Sequence, residues 1–240
     1  MDYLMDDSIA ICVPTHVGWK EPDYRVGEIF FLIDSINALD EWEKIELSIV
    51  DCSDKRPDFA GLIRERWNGN RLVYTYDPQA RNHPDSPGKL WISYAFNGAV
   101  RQCKAEKIFT CGMDAVFPPD FVALYNDRVK SKKIWNPVVR LANKWGEPMD
   151  YWRRNAHGLV GMLKEDYWAI GGQDEKYTMP KWFYDVKLPK EKEYLRRGHD
   201  TDFFHRIRVA EYGIAREDSE ILSLDHPGID MTITMSEFVP

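Results

Sequence analysis

Four apolar runs in the first half of the chain, each ending at a turn or an acid, leave few ways for it to fold. Residues 8–13 (SIAICV) stop at Pro14-Thr15, residues 46–51 (ELSIVD) finish on Asp51, residues 71–76 (RLVYTY) enter a polar loop, and residues 108–111 (IFTC) run into Gly112 and Asp114. Runs of this kind mark strands covered on both faces, as in a parallel sheet. Between them, Ile29, Leu32, Ile33, Ile36 and Leu39 recur at helical spacing, and Phe59, Leu62, Ile63 and Trp67 form a second stripe closed by Asn68-Gly69-Asn70. Residues 89–103 read as a third helix. Strand and helix in strict alternation predict an α/β fold, a doubly wound, mostly parallel sheet.

Beyond residue 129 the rhythm changes. Residues 133–141 and 158–163 read as strands with no long helix between them, which predicts a mixed sheet edge or a smaller second subdomain. Gly171-Gly172 is a turn, residues 200–210 read as a helix, and residues 221–225 as a last strand running into His226. Residues 178–196, rich in Lys and aromatic residues and carrying two prolines, have the length and irregularity of a lid or binding loop. At 240 residues the chain supports one sizeable core, so one domain spanning 1–240 is expected, with halves of about 1–129 and 130–240.

Composition narrows the function. A hydrophobic fraction of 44% with 30% charged residues describes a folded chain, and a net charge of −7 argues against coating nucleic acid by counterion release. Cys12, Cys52, Cys103 and Cys111 show no metal or redox spacing, and three of them fall in or beside apolar strand runs, so buried free thiols are expected. Residues 1–7 are acidic and lack an apolar leader, and no run has the length of a membrane span. A soluble, cytoplasmic protein is the expectation.

Open α/β sheets bind ligands in the crevice beyond the carboxyl ends of their strands. Asp51, Asp114, the pair Asp200 and Asp202, and His226 all fall at element ends. Asp114 and His226 can share a divalent cation, oxygen and imidazole suiting Mn²⁺. Equally, Asp114 and Asp51 read as turn and cap residues, and His226 as a surface histidine before Pro-Gly. Asp51 can meet a ribose or base, and Lys89, opening a helix, can reach a phosphate or stay solvated. Trp182 is a stacking candidate, whereas Trp168, in an apolar helical stretch, reads as core.

The chain resembles family 2-like glycosyltransferases of the GT-A fold, and its second half is also similar to the galactosyltransferase C-terminal region. The resemblance runs from about residue 9 to 228. ICVPTH resembles the opening strand, SIVDCSD the family's IVDDGS, and AFNG at residues 95–98 its ARN-x-G helix, with Asn97 kept and Phe96 in place of Arg. CGMDAVFPPDF resembles the strand with the DXD metal motif, with Gly112 where the first acid belongs and Asp114 as the second. Residues 158–175 resemble the segment ending in GGFDE, GHDTDFFHRI resembles the ED-x-D-x-x-x-R helix with His199 replacing Glu, and DHPG places His226 on a late metal ligand.

The resemblance implies transfer of a sugar from a nucleoside diphosphate, with UDP the expected carrier, to an acceptor hydroxyl, with inversion. Pro14, Thr15, Asp51, Lys89, Asn97, Gly112, Met113 and Asp114 would form the donor site. A divalent cation, Mn²⁺ or Mg²⁺, would rest on Asp114 and His226. Asp200 would be the general base with Asp202 beside it, and Gln173, Asp174, Glu175 and Trp182 would meet the acceptor. The cations and aromatics of residues 178–197 suit an anionic glycan or a lipid-linked phosphate, and less well a nucleic acid presenting a hydroxylated base. A nucleotidyltransferase would need a Gly-rich phosphate loop that VPTHVGWKEP lacks, and a glycoside hydrolase would work without a nucleotide donor. Gly112 and His199 also motivate a nucleotide-sugar or glycan binding protein that has lost its chemistry.

Overall fold

The structure, a computed structural model, describes residues 7–16, 22–53, 59–69, 71–83, 86–87, 91–142, 147–153, 158–176, 199–216 and 218–224. The expected alternation is present: β1 (Ile9–Thr15), α1 (Pro22–Asn37), β2 (Ile45–Asp51), α2 (Phe59–Arg66), β3 (Leu72–Tyr76), α3 (Ile92–Gln102) and β6 (Lys107–Thr110). The loop before α3 holds a short hairpin, β4 (Asn82–His83) with β5 (Ser86–Pro87). β1 pairs in parallel with both β2 and β6, and β2 with β3. The order β3-β2-β1-β6 is doubly wound, and its direction of winding reverses between β1 and β6.

Both faces of β1 are covered, which is why its sequence does not alternate. Ile9, Ile11 and Val13 join the core shared with Ile29, Leu32 and Ile33 of α1 and Phe59 and Ile63 of α2. Ala10 and Cys12 face the other core, with Ala95, Ala99 and Val100 of α3. Each buried Ile or Phe contributes roughly 1.5–3 kcal/mol relative to exposure. All four cysteines are buried and unbridged.

The second half extends the same sheet rather than standing apart from it. β8 (Lys133–Trp135), β11 (Val160–Leu163) and β12 (Gly213–Ala215) complete the order β12-β8-β11-β6-β1-β2-β3, with β11 antiparallel to β6. A second sheet has the order β10-β9-β13-β7, from β7 (Ala115–Val116), β9 (Val138–Ala142), β10 (Pro148–Arg153) and β13 (Asp218–Leu224). Residues 133–141, expected as one strand, are therefore two strands in two sheets. The break falls at Asn136-Pro137, where the Asn136 N–H donates to Ala215 and its side chain to the Leu159 carbonyl. β7, β10 and β12 carry too few residues or too polar a pattern to stand out in sequence. α4 (Phe121–Arg128), α5 (Lys164–Ala169) and α6 (His199–Val209) complete the fold, α4 on the α1 side of the sheet and α5 and α6 on the α3 side. Residues 178–196 lie outside the described residues.

A buried acid ties the lower end of this arrangement together. Glu46, 1% exposed in β2, accepts from the backbone N–H groups of Lys104 (2.8 Å) and Ala105 (3.0 Å), just past the C-terminus of α3. Glu46→Ala leaves both donors without that acceptor and should destabilise the protein by about 1–3 kcal/mol in urea unfolding, whereas a loss below about 0.5 kcal/mol would show that the loop finds other partners.

Candidate functional site

The crevice opens where β1 and β6 part. Their pairing ends at Cys12 with Thr110, and the last bond across the gap runs from the Cys111 N–H to the Cys12 carbonyl at 3.1 Å. Two residues on, Pro14 presents its backbone in the same direction, so its missing N–H falls where the ladder has already stopped and costs nothing. Pro14 and Thr15 continue alongside β2 as far as Asp51. Thr15, Asp51 and the turn at residues 111–114 thus meet at the sheet's switch point.

Asp114 sits at the joint between the two sheets. The chain leaves β6 at Thr110, turns through Gly112 and Met113, and enters β7 at Ala115, which pairs with Ser223 of β13. Ser223 donates its hydroxyl to Asp114 Oδ2 at 2.7 Å, and the Leu224 N–H donates to the Asp114 carbonyl at 2.9 Å. The carboxylate is partly buried and anchored to the end of β13. His226, its expected partner, lies outside the described residues, as do Lys89 and Trp182.

Gly112 explains the shape of this turn. A Cβ on Gly112 would lie 2.2 Å from Asp114 Oδ1, so the carboxylate folds back over the glycine. An acid at position 112 would have to displace Asp114 from Ser223. Among the described residues no group of three acids, histidines or cysteines could hold a metal ion.

Two residues expected at the donor are turned inward. Asp51 is 1% exposed, and its carboxylate accepts from Tyr74 OH, from the Ser53 N–H (2.8 Å) and from Thr15 Oγ1 (3.5 Å). Burial, and then the bond to Asp51, push the Tyr74 phenol well above its ordinary range, so it remains a donor. Asn97 is 4% exposed and fully spent: Nδ2 donates to the Gln173 carbonyl (2.8 Å) and Glu175 Oε1 (2.9 Å), while Oδ1 accepts from Tyr167 OH (2.7 Å) and the Gln173 N–H (2.9 Å). An amide offers two donors and two acceptor sites, and all four are used within the chain. Asn97 therefore holds the loop at residues 171–175 against α3.

That loop is where the second half meets α3. Gly171 and Gly172 have φ of +88° and +61°, the left-handed region that glycine tolerates. Glu175 accepts from Asn97, and its carbonyl accepts from Trp91 Nε1. On Asp174 burial acts most strongly, upward, but the hydrogen bonds and charge of Lys176 together outweigh it and hold the carboxyl below its ordinary range. Gln173, Asp174 and Glu175 lie together along a cleft between α3, α5 and α6. Trp168, expected in the core, is partly exposed on that cleft, because α5 ends there and Arg101 covers its ring from 5.7 Å.

Asp200 and Asp202 occupy the first turn of α6. Asp202 accepts from Arg206 Nε at 2.8 Å, and Arg206 Nη1 donates to the Ile170 carbonyl, so this pair fastens α6 to the end of α5. The i,i+4 spacing of Asp202 and Arg206 is legible in sequence. Tyr74, Tyr167 and Ser223 are not, since nothing local marks a tyrosine or serine as the partner of an acid or amide 23 to 109 residues away.

No family model matches the chain. Over 113 residues it is 26% identical to N-acetyl-beta-glucosaminyl-glycoprotein 4-beta-N-acetylgalactosaminyltransferase 1 of Mus musculus, a match covering 42% of this chain and 11% of that protein. Among solved structures, S. aureus TarS 1-349 in complex with UDP matches with a TM-score of 0.53 and 15% identity, over 92% of this chain and 61% of that one. GalNAc-T7 with UDP, GalNAc and Mn²⁺ matches at 0.60 and 10%, over 91% and 43%. The mannosyltransferase PcManGT from Pyrobaculum calidifontis, in complex with GDP-Man and Mn²⁺, matches at 0.54 and 16%, over 90% and 56%. The fold is the GT-A-like fold of these glycosyltransferases. The chain spans between 43% and 61% of the solved chains it matches here. Among the described residues no helix is long and apolar enough to cross a membrane.

Asn97→Ala removes four buried hydrogen bonds and leaves Gln173 and Tyr167 short of partners; it should cost about 2–4 kcal/mol of stability in urea unfolding, and a loss under about 1 kcal/mol would mean that the 171–175 loop is held by other contacts.

Proposed function

We propose that the chain transfers a sugar from a nucleoside diphosphate, UDP being the expected carrier, to an acceptor hydroxyl. The observation that carries this reading is Asp114, placed at the switch point of a GT-A-like sheet and fastened to the end of β13. The donor would lie across the carboxyl ends of β1, β2 and β6. Thr15 and Asp51 form the floor of that crevice, with Tyr74 holding the Asp51 carboxylate in place.

A hard divalent cation suits a carboxylate at this position. Asp114, with His226, is the pair that would hold it, taking further ligands from the diphosphate; bound there, it would supply charge neutralisation to the leaving group. The residues themselves do the rest. Asp200, in the first turn of α6, takes the proton of the acceptor hydroxyl as that oxygen bonds to the anomeric carbon and the bond from that carbon to the phosphate oxygen breaks. One base and in-line displacement give inversion. Asp202 acts by locking Arg206 and so the pitch of α6, a positioning role rather than a catalytic one.

The test has two parts. Nucleotide sugars are first screened for a rise in melting temperature, since only ligands of the native state stabilise it. UDP sugars should raise it, and the rise should shrink in excess chelator; a chelator-insensitive rise would remove the cation from the proposal. Asp200→Asn should then lower turnover by roughly 10² to 10⁴ with donor binding nearly unchanged. A near-normal rate in that variant would assign the base elsewhere, and donor binding without transfer to any acceptor in the unmodified protein would favour a binding protein instead.

A further inference from the structure

Among the described residues the two larger sheets have four outer strands, and three of them are blunted against further pairing. β7 has two residues, β12 has three and opens on Gly213, and β10 opens on Pro148 and shifts register between Pro148 and Trp152. Short strands, prolines and bulges are how sheets keep other chains from adding to their edges. β3 has none of these devices. Its five residues, LVYTY, include no Pro, Gly or Lys, and Tyr76 is 50% exposed.

The register fixes which groups of β3 face outward. The Leu47 N–H donates to the Arg71 carbonyl and the Asp77 N–H to the Asp51 carbonyl, both at 2.9 Å. Backbone groups alternate sides along a strand, so Val73 and Thr75 turn toward β2, while Leu72, Tyr74 and Tyr76 turn both N–H and C=O away from it. Among the described residues no strand, loop or side chain takes up those outward groups. Side chains divide in the same way. Leu72 and Tyr74 pack on the α1 face, whereas Thr75 and Asp77 reach Gln102 and Tyr94 of α3, and Arg71 and Val73 share that second face by alternation.

This edge is complementary to itself. Placed antiparallel about a two-fold axis at Tyr74, two copies set Tyr74 against Tyr74 and Leu72 against Tyr76, and each such pair exchanges both N–H···O bonds. On the α3 face Val73 falls opposite Thr75, a matched pair of β-branched side chains, and Arg71 falls opposite Asp77, so opposite charges meet at both ends. A parallel two-fold would set each residue level with itself, N–H against N–H and Arg71 beside Arg71.

We propose that β3 is the pairing edge of a homodimer, taking a second copy of this chain antiparallel so that one sheet runs through both. The proposal is independent of the transfer reading. The partner's strands run the opposite way, so the two crevices open at opposite ends of the joined sheet. Pairing also holds the Tyr74 backbone from the outer side, and Tyr74 in turn holds Asp51. A five-residue strand is well short of the roughly 20–30 residues a side of a standard interface, so the dimer is expected to be weak, with a Kd on the order of 10–100 µM.

The test is sedimentation velocity of the whole chain from about 1 to about 500 µM, over which monomer should give way reversibly to dimer. Tyr76→Pro removes an outward N–H and leaves the bonds to β2, and Tyr76→Lys puts a charge on the edge. Each should keep the chain monomeric across that range, with an unchanged circular dichroism spectrum as the check that it folds. Val73→Cys combined with Thr75→Cys should give a covalent dimer under mild oxidation, because the introduced thiols face each other across the axis. Thr75→Cys alone leaves them diagonal, beyond disulfide reach, and should not. Monomer at every concentration, an undiminished dimer in either folded Tyr76 variant, or equal cross-linking by the single Thr75 variant would overturn the proposal.

Discussion

The site depends on one constraint of sheet topology: β1 is paired on both sides for only part of its length. As far as Cys12 it is fixed between β2 and β6, and beyond Cys12 it follows β2 alone. The helices that follow the strands lie on opposite faces, α1 and α2 on one and α3 on the other, so no crossover covers the gap. A crevice at that point is forced by the winding rather than carved by side chains. Pro14 marks the parting because a residue without an N–H is harmless only where no neighbouring strand asks for one.

Polar groups in this protein bind the two halves before they bind anything else. Asn97 makes three hydrogen bonds to the loop at residues 171–175 and a fourth to Tyr167 of α5, and the Asp202–Arg206 pair joins α6 to the end of α5. The cost of leaving any of these atoms unmet in the interior is what keeps the loop in one conformation.

The Gly112 turn shows how a single side chain changes the electrostatics of a site. With no Cβ at position 112, the Asp114 carboxylate lies over the glycine and is held by Ser223. One carboxylate in place of two halves the negative charge there.

The strand and helix order from β1 to β6, the short β4–β5 hairpin apart, the covered faces of β1 and β2, and the placement of acids at strand ends were all determined by the sequence, because apolar periodicity and strand-terminal turns are local properties. The Asp202–Arg206 spacing was legible for the same reason. The split of residues 133–141 between two sheets was decided by tertiary structure, since strand partners, not strand propensity, break the chain at Asn136. So was the fate of Asp51 and Asn97: both acquire partners tens of residues away, Tyr74 and the 173–175 loop, that no local pattern announces. A residue type at a given spacing sets which hydrogen bonds a side chain can make; only the packed neighbours decide whether those bonds are spent inside the fold or left for a ligand.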